Sequence, residues 1–203
     1  MFKSIAISAT VPFVVSAMIA SASLPAAAAQ EAALYDKPLP KGAVFLRWIG
    51  TDQAPEALKL AHTPTGEAFR PLAPQHLDGA EPGRYYSVLP TPDGAVAIVQ
   101  EPERGPKSKV HLTLLNASGQ SVRLVVAGQN GATGAEVIQQ TDAFASGGRL
   151  VNPVSAKLVV VGDDGSAVGE VAVRLRRGQN VTVLVTDQTV RLIENTIGPL
   201  LEE

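Results

Sequence analysis

Short segments in which apolar and polar residues alternate, each closed by a turn, decide what this chain can fold into. They are 43–49 (AVFLRWI), 57–62 (ALKLAH), 84–89 (RYYSVL), 95–100 (AVAIVQ), 109–115 (KVHLTLL), 121–127 (SVRLVVA), 136–140 (EVIQQ), 156–161 (AKLVVV), 170–175 (EVAVRL), 180–187 (NVTVLVTD) and 189–194 (TVRLIE). A period of two puts one side of such a segment in a core and the other in water, and valine suits that half-buried surface. Pro92-Asp93-Gly94, Asn116-Ala117-Ser118-Gly119, Asp163-Asp164-Gly165 and Arg177-Gly178-Gln179-Asn180 supply the turns. Spacings of about 8–15 residues leave no room for helical crossovers. The pattern predicts an all-β fold of two tandem antiparallel β-sandwich domains.

The boundary falls at Glu101-Pro102-Glu103-Arg104-Gly105-Pro106-Lys107, where two prolines, a glycine and four charges interrupt any ladder. The predicted organisation is an extended segment 30–42, an N-terminal sandwich 43–101, a linker 102–107, a C-terminal sandwich 108–197 and a tail 198–203. Two pairs of segments repeat across that boundary. The run from Val44 to Gly50 resembles that from Val110 to Asn116, and the run from Gly83 to Leu89 resembles that from Gly178 to Leu184. Each copy ends in a turn and a last apolar strand, at Ala95 and at Thr189. Duplication and the shared alternation of β-proteins both account for this.

The first 29 residues read as an export signal: a single charge at Lys3, a broken apolar stretch from Ile5 to Ile19, and Ala26-Ala27-Ala28-Ala29 as the small-residue cleavage site. Cleavage near Ala29 predicts a periplasmic protein that does not span the membrane, since no later run reaches the ~20 apolar residues a span requires. A permanent N-terminal anchor is the alternative. Seventeen basic against 19 acidic residues argue against nucleic acid as a partner. The absence of cysteine removes disulfides, thiolate metal sites and thiol nucleophiles.

Residues that carry chemistry are sparse. His62, His76 and His111 have no metal-binding spacing, and no metal or cofactor is expected. There is no Gly-x-Ser-x-Gly elbow, and Ser118 fits a hairpin turn, so no catalytic residue is assigned. Gly128 to Gly134 lacks the lysine of a phosphate loop. Glu101 and Glu103 flank Pro102 on the linker, where water keeps both ionised. Trp48, Tyr85 and Tyr86 could stack on sugar rings, although Trp48 shares the face of Val44 and Leu46 and so reads first as core.

Ala32-Ala33-Leu34-Tyr35-Asp36-Lys37-Pro38-Leu39-Pro40-Lys41-Gly42-Ala43-Val44-Phe45-Leu46-Arg47 resembles the start of the exported chain in the alginate biosynthesis protein AlgF family. Glu101-Pro102, Lys107-Ser108-Lys109, the run from Leu112 to Ser118, and Asn152-Pro153-Val154 are similar to the same family. The tail from Ile197 to Glu203 departs from the family's more basic end. The resemblance implies two β-sandwich domains without a catalytic triad. It also implies action beside a membrane-bound O-acyltransferase and periplasmic SGNH-like acetyltransferases, as a non-catalytic adaptor for O-acetylation of alginate or an alginate-like exopolysaccharide. A module that binds the anionic polysaccharide directly and an acetyltransferase or esterase remain as alternatives. Candidate partner- or polymer-binding residues are Tyr35, Arg47, Trp48 and Tyr85. Tyr35 joins an apolar ring to a hydroxyl. Arg47 alternates against Val44, Leu46 and Trp48, so it is expected to project to an outer face and meet a carboxylate.

Overall fold

The alternating segments become strands. The structure, a computed structural model, describes residues 38–60, 66–128 and 133–201. The signal, Tyr35 and His62 lie outside the described residues. In chain order the strands are β1 (Val44–Trp48), β2 (Arg70–Leu72), β3 (Tyr85–Pro90), β4 (Val96–Gln100), β5 (Val110–Ala117), β6 (Val122–Ala127), β7 (Thr133–Thr141), β8 (Ala145–Val151), β9 (Val154–Gly162), β10 (Ala167–Leu175), β11 (Asn180–Thr186) and β12 (Val190–Glu194). Among the described residues a 3-10 turn, Pro74–His76, lies between β2 and β3. The all-β class expected from the alternation is what forms.

Three four-stranded sheets stack in layers: β2-β1-β3-β4, then β12-β11-β5-β8, then β10-β9-β6-β7. Pairing is antiparallel except at the centre of the first two sheets, where β1 runs parallel to β3 and β5 parallel to β11. These two sheets repeat one another in order and register. Phe45 sits opposite Tyr85, and His111 opposite Asn180; Arg47 opposite Ser87, and Thr113 opposite Thr182. Flanking hydrogen bonds repeat as well. The Gly83 amide donates to Ala43 and that of Gly178 to Lys109, while Glu101 donates to Tyr85 and Asn195 to Asn180. The weak sequence repeat thus corresponds to a structural one.

Each layer boundary is a core. Val44, Leu46, Trp48, Leu72, Tyr86 and Val88 line one face of the first sheet, under Leu58, Leu77 and Leu201. Leu112, Leu114, Val181 and Val183 of the middle sheet meet Leu124, Leu158, Val160 and Val173 of the outer one. Between the first and middle sheets the repeat-related pairs Ile49 and Leu115, Leu89 and Leu184, and Val99 and Ile193 form a third cluster. Burying a side chain of this size is worth about 1.5–3 kcal/mol.

Three elements differ from the sequence reading. Residues 57–60 are not a strand; Leu58 makes an isolated bridge to Leu77, and the segment lies over the first sheet as its lid. Trp48 Nε1 ties that lid down by donating to the Gln53 carbonyl at 3.1 Å. β2 escapes prediction because Pro71 sits in it, which an edge strand tolerates. β8 escapes because Gly147 and Gly148 replace the alternation. A β-carbon on Gly147 would lie 2.8 Å from Ile138, and one on Gly148 2.7 Å from Pro102. The segment after Glu101 therefore packs on β8.

The tail is also placed. Phe69 donates to the Thr196 carbonyl and Gly198 to that of Phe69, while the Leu201 amide donates to Pro71 at 2.8 Å. Leu201 enters the first core at 9 % exposure.

Candidate functional site

Strand alternation points Phe45, Arg47 and Ile49 away from the first core and into the joint with the middle sheet. Arg47 is fully buried there, so the expected projection to an outer face is corrected: a second sheet, not water, covers that face. Its Nε donates to Ser87 Oγ at 2.8 Å, Nη1 to Asn195 Oδ1 at 2.8 Å, and Nη2 to Glu101 Oε1 at 2.6 Å and Thr182 Oγ1 at 3.0 Å. Glu101 accepts a further hydrogen bond from Ser87 Oγ at 2.6 Å, and Thr182 donates to Asn195 at 3.0 Å. Glu101, expected in water on the linker, is likewise buried. Burial pushes the guanidinium pKa of Arg47 down, against the pull of the Glu101 carboxylate.

The repeat explains the arrangement. Arg47, Ser87 and Glu101 of the first sheet occupy the positions that Thr113, Thr182 and Asn195 hold in the middle one. One half brings the ion pair and the other brings neutral partners, and the network crosses the joint.

Beside it lies an aromatic stack. Phe45 and Tyr85 are parallel with centroids 4.4 Å apart, and Phe69 meets Tyr85 edge-on at 5.0 Å. The Arg104 guanidinium lies 3.7 Å from the centre of the Tyr85 ring, and that of Arg47 4.4 Å from the Phe69 ring. These are cation–π distances. His111, on the facing strand, is 5 % exposed. Burial, reinforced by the Arg104 charge, lowers its pKa.

At one end the joint opens into a groove whose lining includes Ile49, Pro90, Ala117, Phe144, Leu184 and Arg191. Phe144 takes a positive φ of 53°, a strained backbone for a bulky residue, and packs against the joint cluster. Arg191 makes a two-pronged ion pair with Glu67 at its rim.

Chemically, the joint is a fastening. Ser87 is completely buried and has no imidazole among its hydrogen-bond partners, so it is not presented to a substrate. Among the described residues no three His, Asp or Glu side chains converge to hold a metal. Ser118 caps its own turn, donating to Asn116 Oδ1 at 2.7 Å.

The chain matches several relatives that share the name alginate biosynthesis protein AlgF, those of three species among them. That of Pseudomonas putida is 28 % identical over 183 residues, 81 % of this chain and 83 % of the relative. That of Azotobacter vinelandii is 27 % identical over 193 residues, 87 % of each chain. That of Pseudomonas aeruginosa is 28 % identical over 179 residues, 79 % of this chain and 81 % of the relative.

The chain is similar to AlgF along most of its length.

No family model matches. Among solved structures, the N-terminal domain of AlgF from P. aeruginosa covers 45 % of this chain and 99 % of its own, at 15 % identity and TM-score 0.34. The C-terminal domain covers 42 % and 94 %, at 25 % and 0.33.

Of the residues singled out in the sequence, Tyr35 lies outside the described residues, and the other three divide between the first core and the joint. Trp48 is sealed in the first core at 1 % exposure. Arg47 and Tyr85 share the joint, Tyr85 half-buried beneath Arg104. Sequence reasoning missed Phe69, Arg104, Thr182 and Asn195 as companions of Arg47. The repeat was the one signal that could have found the last two, since it aligns Ser87 with Thr182.

Proposed function

We propose that the chain is a non-catalytic periplasmic adaptor for O-acetylation of alginate or an alginate-like exopolysaccharide. The observation that carries this reading is the similarity to AlgF relatives named for alginate biosynthesis, spread over some four-fifths of both chains. Sec-type export with cleavage near Ala29 would place the protein where the polymer is modified. Contact with SGNH-like acetyltransferases and with a membrane-bound O-acyltransferase would be its work. The geometry agrees with that division of labour. Arg47, Ser87, Glu101, Thr182 and Asn195 are engaged with one another across the joint, which supports a holding role for that network.

Deleting the gene tests the reading. The expected strain makes polymer that has lost its acetyl esters, and the intact gene restores them. Loss of the polymer itself would overturn the acetylation role. Turnover of a model acetyl ester by the purified protein would overturn the adaptor.

A further inference from the structure

The turns at the two ends of the C-terminal half carry opposite charge. At one end, 118–121, 142–144, 163–166 and 187–189 hold Asp142, Asp163, Asp164 and Asp187 and no cation. Turn chemistry accounts for several of these acids. Asp187 accepts from the Gly119 amide, Asp142 from Ser121 Oγ and Asp164 from the Ser166 amide.

At the other end, the approach to β5 (105–109) and the turn between β10 and β11 (176–179) hold Lys107, Lys109, Arg176 and Arg177 and no acid. The chain brings them together. The Gly178 amide donates to the Lys109 carbonyl at 2.9 Å, and a β-carbon on Gly178 would lie 3.3 Å from the Lys107 carbonyl. Arg174 lies two residues before the turn. Lys107, Arg174, Arg176 and Arg177 are exposed.

Among the described residues, none of these cations has a carboxylate partner of the kind found elsewhere. Lys59, Arg84, Lys157 and Arg191 each have a carboxylate within salt-bridge reach. At the basic end Lys109 Nζ donates to neutral Asn152 at 2.6 Å. Glu194, across from Val181 in the ladder, accepts from Gln179 at 3.5 Å, and Glu103 is held by Arg84 at 3.1 Å. Two large aliphatic side chains stand exposed nearby, Leu150 at 43 % and Val154 at 47 %. Val154 pairs with Leu175, directly before Arg176, and Leu150 lies against Gly105.

We propose that this basic end, Lys107, Lys109, Arg174, Arg176 and Arg177 with Leu150 and Val154, docks an acidic surface on a folded protein partner. The proposal rests on the adaptor reading and adds where the contact is made. Clustered unpaired cations steer an acidic surface and select it over neutral ones, and the aliphatic side chains supply apolar area for the contact. A polyuronate could meet the cations through its carboxylates, but the exposed aliphatic side chains of Leu150 and Val154 beside them favour a protein surface that brings apolar side chains of its own.

The test titrates the purified chain with a purified SGNH-type acetyltransferase of the same organism, by calorimetry at about 50 and about 300 mM salt. Reversing Lys107, Arg176 and Arg177 to Glu is expected to weaken binding about tenfold or more and to flatten its salt dependence. Reversing Asp142, Asp163 and Asp164 to Lys is expected to leave binding within about twofold, and melting curves confirm that both variants fold. Equal weakening by the two variants, or none by the basic-end reversal, overturns this surface while leaving the adaptor reading standing. No binding by the unaltered chain sinks both. Binding of alginate oligomers that the basic-end reversal abolishes, with the acetyltransferase unaffected, overturns the protein partner, as does head-to-tail self-association that consumes the basic end.

Discussion

Arg47 makes four hydrogen bonds, to Ser87 of β3, Glu101 just beyond β4, Thr182 of β11 and Asn195 beyond β12. A guanidinium removed from water is tolerable only when its donors are met in this way. Arg47→Met leaves the Glu101 charge buried without its partner. It is expected to cost about 3–5 kcal/mol in urea denaturation. Adding Glu101→Leu is expected to recover most of that loss, because a buried ion pair adds little over apolar packing. His111 carries a pH effect. Its pKa in the fold lies below the 6.5 of a free histidine, through burial first and the Arg104 charge second. Below pH 6.5 the unfolded chain therefore takes up a proton that the fold resists, and stability falls as the pH drops. Melting temperatures between pH 7 and pH 5.5 should fall more steeply for the native chain than for His111→Gln, about neutral pH being the reference. Glu67 acts lower down. The hydrogen bond from Arg191 holds its carboxyl below 4.5, so its contribution is present above that pH and lost below it.

At the scale of the element, β2 is the weak edge of the first sheet: three residues, one of them proline. The tail supports it, with Leu201 in the core and Gly198 bonded to Phe69. Leu201→Ala is expected to cost about 2 kcal/mol, at the lower end for a buried leucine. It should also speed hydrogen exchange at the Phe69 amide, which donates to Thr196. An unchanged exchange rate would show that the tail does not hold the edge. β8 was illegible in the sequence for a related reason. Its glycines are chosen by Ile138 on one side and Pro102 on the other, and alternation has no term for a neighbour's approach. The turns were legible because their conformation is local. Gly94 and Gly165, expected to close hairpins, have φ of 81° and 82°.

At the scale of the molecule, two sheets of the same order and register face one another through equivalent residues. The joint buries an ion pair and six aliphatic side chains, so the halves share their stability. Trp48 fluorescence, which reports the first core, and far-UV circular dichroism, dominated by the C-terminal strands, should give one coincident transition. Two separated transitions would mean that the joint is not cooperative. The sequence by itself determined the β class, the inward faces of β1, β5 and β11, and the turn glycines, because alternation and φ preference act over a few residues. It did not determine the fate of Arg47 or Glu101. An alternating arginine and a charge beside a proline read as solvated until another layer covers them. Only the stacking of the two sheets, set by contacts between residues far apart in the chain, turned that outer face into an interior and left the charges of Lys107, Arg176 and Arg177 outside.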